Sequence, residues 1–363
     1  MTKDKLQEEC LKAIENRKYA GAVLGTGAGK TLLGLKHMAS LYNETATFLV
    51  VVPKLPVIEE WRKQAIEHDL VYLIESMEFT TYLSLYKQRK DYDFVYFDEC
   101  HNAKKKHADW IRLYNGPVLG LTGTYPRYIS SEAGQASAEF FPKVFEYNIN
   151  TAISDNLLNN YKIYIHKLEL STKKTISTRK GSMSEEAHYN MHCNFVNNAR
   201  PSEVMMKRIM RMKAMQAYDT KVNYAKLLLK QQTKKTLVFT DYTEQADKLC
   251  KNSYHAKNKD SKDNLILFQS GYIKKLSAVN QLSEGINIKD LEVGIILHSY
   301  ANEKKLPQKI GRFLRLNPND TAIIHILCYN NTVDVDWLKK ALIEFKKEKI
   351  FKYDTTKTTH PTQ

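Results

Sequence analysis

The sequence lacks long apolar runs and paired cysteines, and each absence excludes a class of protein. No apolar stretch approaches the roughly 20 residues that a membrane-spanning helix needs. The five cysteines are scattered without a C-x-x-C pair, which excludes a disulfide scaffold and fits reduced thiols. The N-terminus leads into a charged helix and lacks the apolar core of a signal peptide. These absences predict a cytoplasmic protein that does not bind a membrane.

One group of residues has side chains that commonly bind metals. His188, His192 and Cys193 lie within six positions, but no fourth ligand follows nearby in the sequence. Structural zinc sites need four protein ligands. We therefore expect no structural metal at this place.

The charge of the chain is unevenly distributed. Residues 1–150 contain 19 Lys+Arg and 19 Asp+Glu, whereas residues 151–363 contain 36 and 21, so the whole net charge of +15 lies in the second part. Concentrated basic charge indicates a polyanionic partner that is bound through its phosphates. The alternative is a solvated basic surface with no partner. Together with the motifs described below, the asymmetry favours nucleic acid.

Short apolar runs alternate with helical patterns, which is typical of parallel βα units. In the first part of the chain the apolar runs lie at 22–24, 47–52, 94–97 and 118–121. A second αβ series has short apolar segments at 236–240, 264–268, 275–279, 293–297 and 322–327. The pattern predicts an α/β protein with two domains, each a mostly parallel sheet flanked by helices.

The boundary between the two domains is predicted where the periodicity fades. Ser, Ala, Asn and aromatic residues dominate positions 126–160, so we place the junction near residue 150. The predicted domains span 1–150 and 151–353. The polar segment 354–363 is expected to be a disordered tail.

A glycine-rich loop at 24–31, LGTGAGKT, follows the first predicted strand. In such loops, backbone N–H groups and a lysine surround phosphates, while a hydroxyl reaches Mg²⁺. Lys30 and Thr31 are the corresponding side chains. The motif by itself indicates a nucleotide phosphate site.

Two further motifs complete a site that can hydrolyse a nucleoside triphosphate. In the DECH motif at 98–101, one carboxylate can hold a metal ion and the other can polarise water. In the QKIGRFLR motif at 308–315, a pair of arginines can neutralise charge on the transferring phosphoryl group. The DECH motif lies just beyond the C-terminal end of a predicted strand, where open α/β sheets bind ligands. The arginines come from the second domain, so the sequence predicts a two-domain motor.

These motifs, in this order and spacing, resemble those of the superfamily 2 helicases and translocases. The resemblance covers residues 5–345, and the phage-type DNA helicases of the DEAH-like and restriction-enzyme-like branches look closest. It implies two tandem RecA-like domains and an ATPase that uses Mg²⁺. We also expect from the resemblance that the protein is a monomer, that a phage encodes it and that it acts in the cytoplasm of a bacterial host.

The resemblance implies a set of ATP contacts and catalytic groups. The residues assigned to ATP are Gln7, Thr26, Gly27, Ala28, Gly29, Lys30, Thr31, Asp98, Gly285 and Asn287. Those assigned to catalysis are Lys30, Glu99, Gln308, Arg312 and Arg315, and those assigned to Mg²⁺ are Thr31 and Asp98. Gln7 corresponds to a glutamine that reads adenine; the alternative is an exposed residue on the first helix.

The resemblance also implies contacts to a nucleic-acid strand and residues that couple hydrolysis to movement. The strand contacts are Pro53, Lys54, Thr81, Thr240 and Asn280. Val279 stands where many relatives have a strand-contacting threonine, so that contact is either absent or shifted to Asn280. The coupling residues are His101, Thr122 and Thr124.

Two features allow more than one interpretation. Trp61 follows a predicted strand, and its position is equally compatible with packing in the core and with a functional role. The basic stretch at 201–232 is predicted to be one long helix whose methionines, Met205, Met206, Met210, Met212 and Met215, belong to the core. Its lysines and arginines then face either a nucleic-acid strand or solvent.

The sequence therefore predicts an ATP-dependent helicase or translocase that acts on nucleic acid, with DNA preferred. An RNA helicase is the first alternative. The second is a nucleic-acid clamp or sensor that uses ATP as a switch and does not unwind.

Overall fold

The structure is a computed structural model that describes residues 2–25, 27–179, 181–279, 288, 290–302, 305–314, 316–317 and 319–354. The chain divides into two compact units, and the main division falls between Asn160 and Tyr161. Each unit contains its own β-sheet. The predicted fold class, two α/β domains with sheets flanked by helices, is confirmed. The domain bounds 1–150 and 151–353 remain a prediction.

The described residues of the first unit form six strands and six α-helices. The strands are β1 Tyr19–Leu24, β2 Phe48–Val52, β3 Met77–Thr81, β4 Phe94–Asp98, β5 Val118–Thr122 and β6 Lys143–Tyr147. The helices are α1 Lys3–Ile14, α2 Lys30–Leu41, α3 Pro56–Glu67, α4 Lys105–Tyr114, α5 Glu132–Phe140 and α6 Ile149–Ser154.

The six strands form a parallel sheet in the order β3-β2-β4-β5-β1-β6. Strands β2, β4 and β5 are buried along their whole length, as expected for a sheet covered on both faces. Their apolar side chains pack against α4 and α5 in one core. Because the strands are parallel, their C-terminal ends, with the motifs that follow them, lie at one edge of the sheet.

The second unit contains a larger set of elements. Its strands are β7 Asn160–Leu168, β8 Lys174–Thr178, β9 Gly181–Ser184, β10 Thr236–Thr240, β11 Ser253–Tyr254, β12 Lys275–Val279, β13 Val293–Ile296, β14 Thr321–Tyr329 and β15 Ile350–Asp354. Its helices are α7 Glu185–Asn197, α8 Val204–Gln216, α9 Asp219–Gln231, α10 Thr243–Leu249, α11 Ser261–Gln269, α12 Lys305–Ile310 and α13 Val333–Ala341. The apolar segment at 264–268 thus lies in helix α11.

Seven of these strands form a sheet in the order β11-β12-β10-β13-β14-β7-β15. The pairs from β11 to β14 are parallel, and so is the pair of β7 and β15 at the other edge. Strands β8 and β9 form a separate antiparallel hairpin. Helices α7, α8 and α9 contribute side chains to the core under β10, β13 and β14.

The predicted single helix at 201–232 is wrong, because the structure has α8 and α9 with a break between them. At the break, Tyr218 adopts an extended conformation and buries its ring in the core. The side-chain amide of Gln245 donates to the carbonyl oxygen of Gln216 at 2.6 Å and replaces a helical hydrogen bond. Tertiary packing therefore overrides the local helical pattern at this point.

The prediction that the methionines of this stretch belong to the core is correct for Met215 and wrong for three others. Met215 is buried, whereas Met205, Met206 and Met210 are exposed. Helix α8 packs against α7 along one side, so methionines elsewhere on its circumference remain at the surface.

Candidate active site

The glycine-rich loop connects the end of β1 to the start of α2. Gly27 and Gly29 have φ angles of 93° and 89°, a left-handed region that favours glycine. Helix α2 begins at Lys30, directly after Gly29. The N-terminus of a helix attracts anions through its free N–H groups and its dipole. The loop therefore has the geometry of a phosphate site.

Gln7 of helix α1 is hydrogen-bonded to this loop. Its side-chain N–H₂ donates to the carbonyl oxygens of Ala28 at 3.3 Å and Gly29 at 3.1 Å, and the residue is buried. A Cβ atom at Gly29 would lie 2.8 Å from the Gln7 nitrogen, so the close approach requires glycine. Among the described residues, the Gln7 Oε1 atom is buried and has no hydrogen-bond partner. An amine of a bound nucleobase is one group that could donate to it.

Lys30 and Glu99 form an ion pair at the centre of the site. The Lys30 Nζ and Glu99 Oε1 atoms are 3.0 Å apart, and both side chains are largely buried. Glu99 follows β4 and has a left-handed backbone (φ 53°). Burial acts to raise the pKa of Glu99, but Lys30 and His101 outweigh burial and lower that pKa to about 2. Glu99 is therefore ionised near neutral pH.

Asp98 has the opposite electrostatic environment. Burial and the adjacent Glu99 raise the pKa of Asp98 to about 6, although Lys30 and a hydrogen bond from Trp61 lower it. The Trp61 indole N–H donates to Asp98 Oδ2 at 3.1 Å, and the Trp61 side chain is fully buried. A Cβ atom at Gly34 of α2 would lie 2.5 Å from the Trp61 ring, so this glycine leaves the space for it. Trp61 is thus both a core residue and a partner of Asp98.

Tyr82 is a second contact that the sequence motifs do not indicate. Its buried hydroxyl donates to the carbonyl oxygens of Asp98 at 2.9 Å and Glu99 at 3.1 Å. The hydroxyl therefore ties the chain after β3 to the turn that carries both carboxylates. The position of Tyr82 next to the predicted strand contact Thr81 was the available signal, but its partner depends on strand order.

His101, Thr122 and Thr124 lie together beside Glu99. The Thr122 Oγ1 atom is 2.8 Å from His101 Nδ1 and 3.4 Å from Glu99 Oε2. The backbone N–H of Thr124 donates to Thr122 Oγ1 at 3.1 Å, and the Thr124 hydroxyl is 3.3 Å from His101 Nδ1. A chain of polar contacts thus connects the turn after β5 to Glu99.

The predicted strand contacts of the first unit are neighbours at one edge of the sheet. Val52 of β2 is paired with Thr81 of β3, so Pro53 and Lys54 follow directly beside Thr81. Lys54 is exposed, and Thr81 and Pro53 are half-buried. The structure brings these three residues together at the C-terminal edge that also carries the glycine-rich loop.

In the second unit, helix α12 carries Gln308 and leads directly into Arg312, which is largely buried. Between them, the fully buried Lys309 donates to the hydroxyl of Tyr300. The Tyr300 hydroxyl donates in turn to Asp241 Oδ1 at 2.5 Å. Burial lowers the pKa of Lys309 to about 8. This chain of contacts connects the arginine motif to the segments after β10 and β13.

Phe313 supports the same segment from the core. Its ring packs edge-on against Phe239 of β10, with the ring centroids 6.1 Å apart. A Cβ atom at Gly294 of β13 would lie 2.4 Å from the Phe313 ring. Glycine at this position therefore lets Phe313 lie directly over the sheet.

Thr240 and five other predicted site residues need separate mention. Thr240 ends β10, is buried, and donates from its hydroxyl to the carbonyl oxygen of Tyr242 at 3.2 Å. Its role as a strand contact stays a prediction. The residues that lie outside the described part of the chain are Thr26, Asn280, Gly285, Asn287 and Arg315.

The donor set of the first unit suits Mg²⁺. Asp98 and Glu99 contribute carboxylate oxygens, and Thr31 contributes a hydroxyl in the first turn of α2. Hard oxygen ligands are those that Mg²⁺ prefers, usually with several waters and phosphate oxygens completing the shell. Among the described residues, no cluster of three or more His, Cys, Asp or Glu side chains could hold a metal by itself. Magnesium held by a carboxylate together with nucleotide phosphates fits this arrangement.

Comparison with known proteins identifies the family. Residues 1–127 match the family model "Type III restriction enzyme, res subunit", and residues 220–317 match the model "Helicase conserved C-terminal domain". The DNA 3'-5' translocase XPB2 of Sulfurisphaera tokodaii is 23% identical over 372 aligned positions, which cover 90% of this chain and 83% of the relative. The chain belongs to the superfamily 2 helicases. The family resemblance noted in the sequence is thereby confirmed.

As a superfamily 2 helicase, the protein is an ATP-dependent nucleic-acid helicase or translocase. Residues 128–219 of this helicase lie between the two segments that match the family models. They include the hairpin β8–β9 and the helices α7 and α8.

Solved structures share the fold of this helicase. One is the ATP-dependent Type ISP restriction-modification enzyme LlaBIII bound to DNA, with a TM-score of 0.62 and 13% identity; the alignment covers 97% of this chain and 31% of that one. A second is a fragment of a putative HsdR subunit of a type I restriction enzyme from Vibrio vulnificus, with a TM-score of 0.61, 16% identity and coverages of 97% and 67%. The third is Dbp5 of S. cerevisiae bound to RNA and ADP BeF3, with a TM-score of 0.60, 13% identity and coverages of 97% and 90%. The helicase thus spans about a third of the first of these chains.

Among the described residues, no helix is long and apolar enough to span a bilayer. The cytoplasmic location, the phage origin and the monomeric state stay predictions.

Proposed function

We propose that this helicase uses Mg²⁺-ATP to move on DNA. The observation that carries the proposal is the ion pair of Lys30 and Glu99 beside Asp98, at the C-terminal ends of β1 and β4. It brings a phosphate-binding lysine, a carboxylate ionised near neutral pH and a possible metal ligand into one buried site. DNA is favoured as the track because the curated relative that covers most of this chain is named a DNA translocase.

In this proposal the site residues of the first unit bind ATP, hold Mg²⁺ and activate water. Lys30 neutralises the terminal phosphates, while Thr31 and Asp98 hold Mg²⁺, the ion that supplies charge neutralisation at the phosphates when bound. Glu99 accepts a proton from the attacking water. Gln7 accepts a hydrogen bond from adenine through its Oε1 atom and keeps the loop closed through its amide nitrogen.

The remaining roles extend the proposal to coupling and to the track. Arg312 and Arg315 supply positive charge to the transferring phosphoryl group, and Gln308 accompanies them. His101, Thr122 and Thr124 transmit the state of Glu99 to the chain after β5. Lys54 and Thr81 contact strand phosphates from the first unit.

Substitutions at Lys30 and Glu99 test the hydrolytic roles. We expect Lys30→Ala to weaken ATP binding, because the ammonium that meets the phosphates is lost. Glu99→Gln should retain ATP binding and lower turnover roughly 10²–10⁴-fold, the usual contribution of a positioned base. Equilibrium titration with a fluorescent ATP analogue and a phosphate-release assay measure the two effects separately.

Lys36→Ala is the matched control, because Lys36 lies on the same helix and pairs at the surface with Asp4. It should leave both ATP binding and turnover as in the wild type. Near-normal turnover in Glu99→Gln would remove Glu99 from its assigned role.

The choice of track is tested with three polymers in parallel. ATP turnover should rise with single-stranded or forked DNA more than with RNA, and strand displacement of the fork should require ATP.

The affinity for the polymer should fall steeply as the salt concentration rises, because basic residues are concentrated in the second part of the chain. On single strands, the logarithm of the binding constant should fall with the logarithm of the salt concentration with a slope of about −0.7 per phosphate contact. Stronger stimulation by RNA would favour the RNA helicase alternative. ATP-dependent binding without movement would favour the clamp.

A further inference from the structure

Helix α8 presents an exposed apolar surface, the α8 ridge, formed by Met205, Met206, Ile209 and Met210. Their side chains are 69%, 53%, 43% and 43% exposed, respectively. Positions separated by three and four residues lie on one side of a helix, so the four form a continuous stripe about two residues wide. Exposed apolar patches of this kind mark interaction sites on soluble proteins.

The ridge lies on the side of α8 that faces away from its neighbouring helix. Lys207 and Arg211, one turn apart, contact α7: the Lys207 ammonium lies 5.7 Å from the centroid of the Phe195 ring, and Arg211 donates to the Cys193 sulfur at 3.7 Å. Met215, a further turn along, is buried in the core. The helix therefore places Lys207 and Arg211 against α7 and leaves the ridge on the outside. This is the reverse of the usual orientation of a surface helix.

The charges around the ridge indicate the class of its partner. Residues 200–217 include five basic residues and one acidic residue: Arg200, Lys207, Arg208, Arg211 and Lys213 against Glu203. Arg208 and Lys213 are exposed. Methionine and arginine are common in protein interfaces as well, so the excess of five cations over one carboxylate is what favours an anionic partner. Unpaired nucleic acid combines apolar base faces with an anionic backbone. An apolar stripe flanked by cations complements that combination.

The position of α8 supports the same partner. The C-terminal end of the helix is tied to the segment after β10: the Tyr242 hydroxyl donates to the Lys213 carbonyl oxygen at 3.3 Å, and Gln245 donates to the Gln216 carbonyl oxygen. This segment directly follows Thr240, which is assigned to the strand in the proposed function. The C-terminal end of α8 therefore lies beside a proposed phosphate-contact loop, and the ridge ends at Met210, about one helical turn before Lys213.

We propose that the α8 ridge packs against the faces of unpaired bases while Arg208 and Lys213 contact the adjoining phosphates. The methionine and isoleucine side chains serve as a wedge that keeps separated strands apart, as apolar side chains do when they insert between base steps. The proposal rests on the proposed function, because it needs the protein to bind a nucleic-acid strand.

The test uses the full chain with the double substitution Met206→Gln/Ile209→Gln. These residues are exposed, so the urea midpoint of unfolding should stay at the wild-type value. Affinity for single-stranded DNA should fall about tenfold, in line with the loss of contacts to one or two bases. Displacement of a forked duplex should fall at least as much. The salt slope should not change, because no cation is removed.

The matched control is Ile266→Gln/Ile343→Gln, which alters two isoleucines that are 60% and 69% exposed elsewhere in the second unit. It should bind and unwind DNA like the wild type. A photo-crosslinking amino acid at position 206 provides a direct readout and should attach to the bases of a single strand. It should attach less to a blunt duplex.

The outcomes separate this proposal from the proposed function. If the wild type unwinds DNA and the ridge variant unwinds equally well, the ridge proposal is overturned and the motor remains. If the wild type binds neither DNA nor RNA, the proposed function is overturned and the ridge proposal falls with it. Crosslinks to an acidic protein in place of DNA, together with unchanged DNA affinity, would overturn the ridge proposal and assign the surface to that protein.

Discussion

At the scale of single residues, burial and Glu99 raise the pKa of Asp98, and Trp61 is one of the groups that oppose this rise. The indole N–H donates to Asp98 Oδ2 in a buried site, and this bond opposes the effect of burial on the pKa of the carboxyl group. That pKa is about 6, so the carboxyl group changes its charge in weakly acidic solution. A carboxylate that holds Mg²⁺ must be ionised. Activity should therefore depend on pH through Asp98.

We predict that Trp61→Phe shifts the acid limb of ATP turnover to higher pH. The phenyl ring keeps most of the packing against Gly34, but the bond to the ionised form of Asp98 is lost, so the pKa of Asp98 rises. Hydrogen bonds to charged groups contribute about 1.5–3 kcal/mol, which corresponds to a shift of the order of one pH unit. A pH profile of kcat/KM at subsaturating Mg²⁺-ATP measures the midpoint, because kcat/KM reports the pKa values of the free enzyme.

Trp110→Phe is the control for that shift. Trp110 is also buried, but its indole N–H makes no hydrogen bond to the described residues. Its substitution should leave the midpoint unchanged. An unshifted profile in both variants would mean that Trp61 does not act on Asp98.

At the scale of elements, α12 is positioned by a buried polar chain as well as by apolar packing. Lys309 donates to Tyr300, and Tyr300 donates to Asp241, so the helix is connected to the ends of β13 and β10. The Lys309 ammonium also lies 5.1 Å from the centroid of the Phe239 ring. A buried cation that loses a partner destabilises its surroundings. The orientation of Gln308 and Arg312 should therefore depend on Tyr300.

We predict that Tyr300→Phe lowers kcat for ATP at least tenfold and changes KM for ATP little. The aromatic ring is retained, but Lys309 loses the phenol oxygen that accepts its hydrogen bond, and the arginine motif loses its fixed position. A substitution that weakens binding of the transition state but not of ATP lowers kcat and leaves KM nearly unchanged. Steady-state kinetics of phosphate release give both constants.

Tyr329→Phe provides a matched comparison for this effect. Tyr329 is fully buried in the same unit, and its hydroxyl has no hydrogen-bond partner among the described residues. This variant should keep the wild-type kcat. A similar loss of kcat in both variants would indicate a general effect on folding, and no loss in Tyr300→Phe would contradict the positioning role.

At the scale of the whole molecule, four buried histidines make the fold sensitive to acid. Burial lowers the pKa of His37, His298 and His325 to about 4 and that of His166 to about 3. His166 and His325 are also hydrogen-bonded to each other, so they cannot both be protonated without repulsion. In the unfolded chain each histidine has its ordinary pKa near 6.5.

We predict that the free energy of unfolding decreases as the pH falls from about 6.5 towards 4. Between these values the unfolded chain binds more protons at the four histidines than the folded chain does. Stability is therefore fully present above 6.5 and is lost below it, by up to about 1.4 kcal/mol per histidine and pH unit. Asp98 acts in the opposite direction, because its pKa is raised in the folded state, but it is a single group. Urea unfolding at several pH values measures the slope.

His325→Asn should reduce that slope, because one histidine with a lowered pKa is removed and the repulsion from His325 that helps to lower the pKa of His166 is lost. Stability that is independent of pH between 5 and 7 would contradict the prediction. The same result in the wild type and in His325→Asn would show that this pair does not contribute.

The sequence by itself determined the fold class and the family, and the residues that it assigns to the chemistry stay predictions. Each of these depends on patterns within a few neighbouring positions. The loop at 24–31 needs glycine at Gly27 and Gly29 for its left-handed backbone, and a parallel sheet needs short, continuous apolar strands. Because polar motifs follow the strands, their convergence at one edge of the sheet was also predictable. Such local requirements are visible in a single sequence.

Only the tertiary structure decided which side chains support those residues. Trp61 and Asp98 are 37 positions apart, and Tyr300 and Asp241 are 59 apart. Their contacts depend on strand order and on how helices pack over the sheets, which no local pattern specifies. The break between α8 and α9 and the exposed methionines of the α8 ridge have the same origin. Packing against α7 and the core determines which side of α8 is buried. Apolar and basic residues alternate around this helix, so helical periodicity alone cannot identify the buried side.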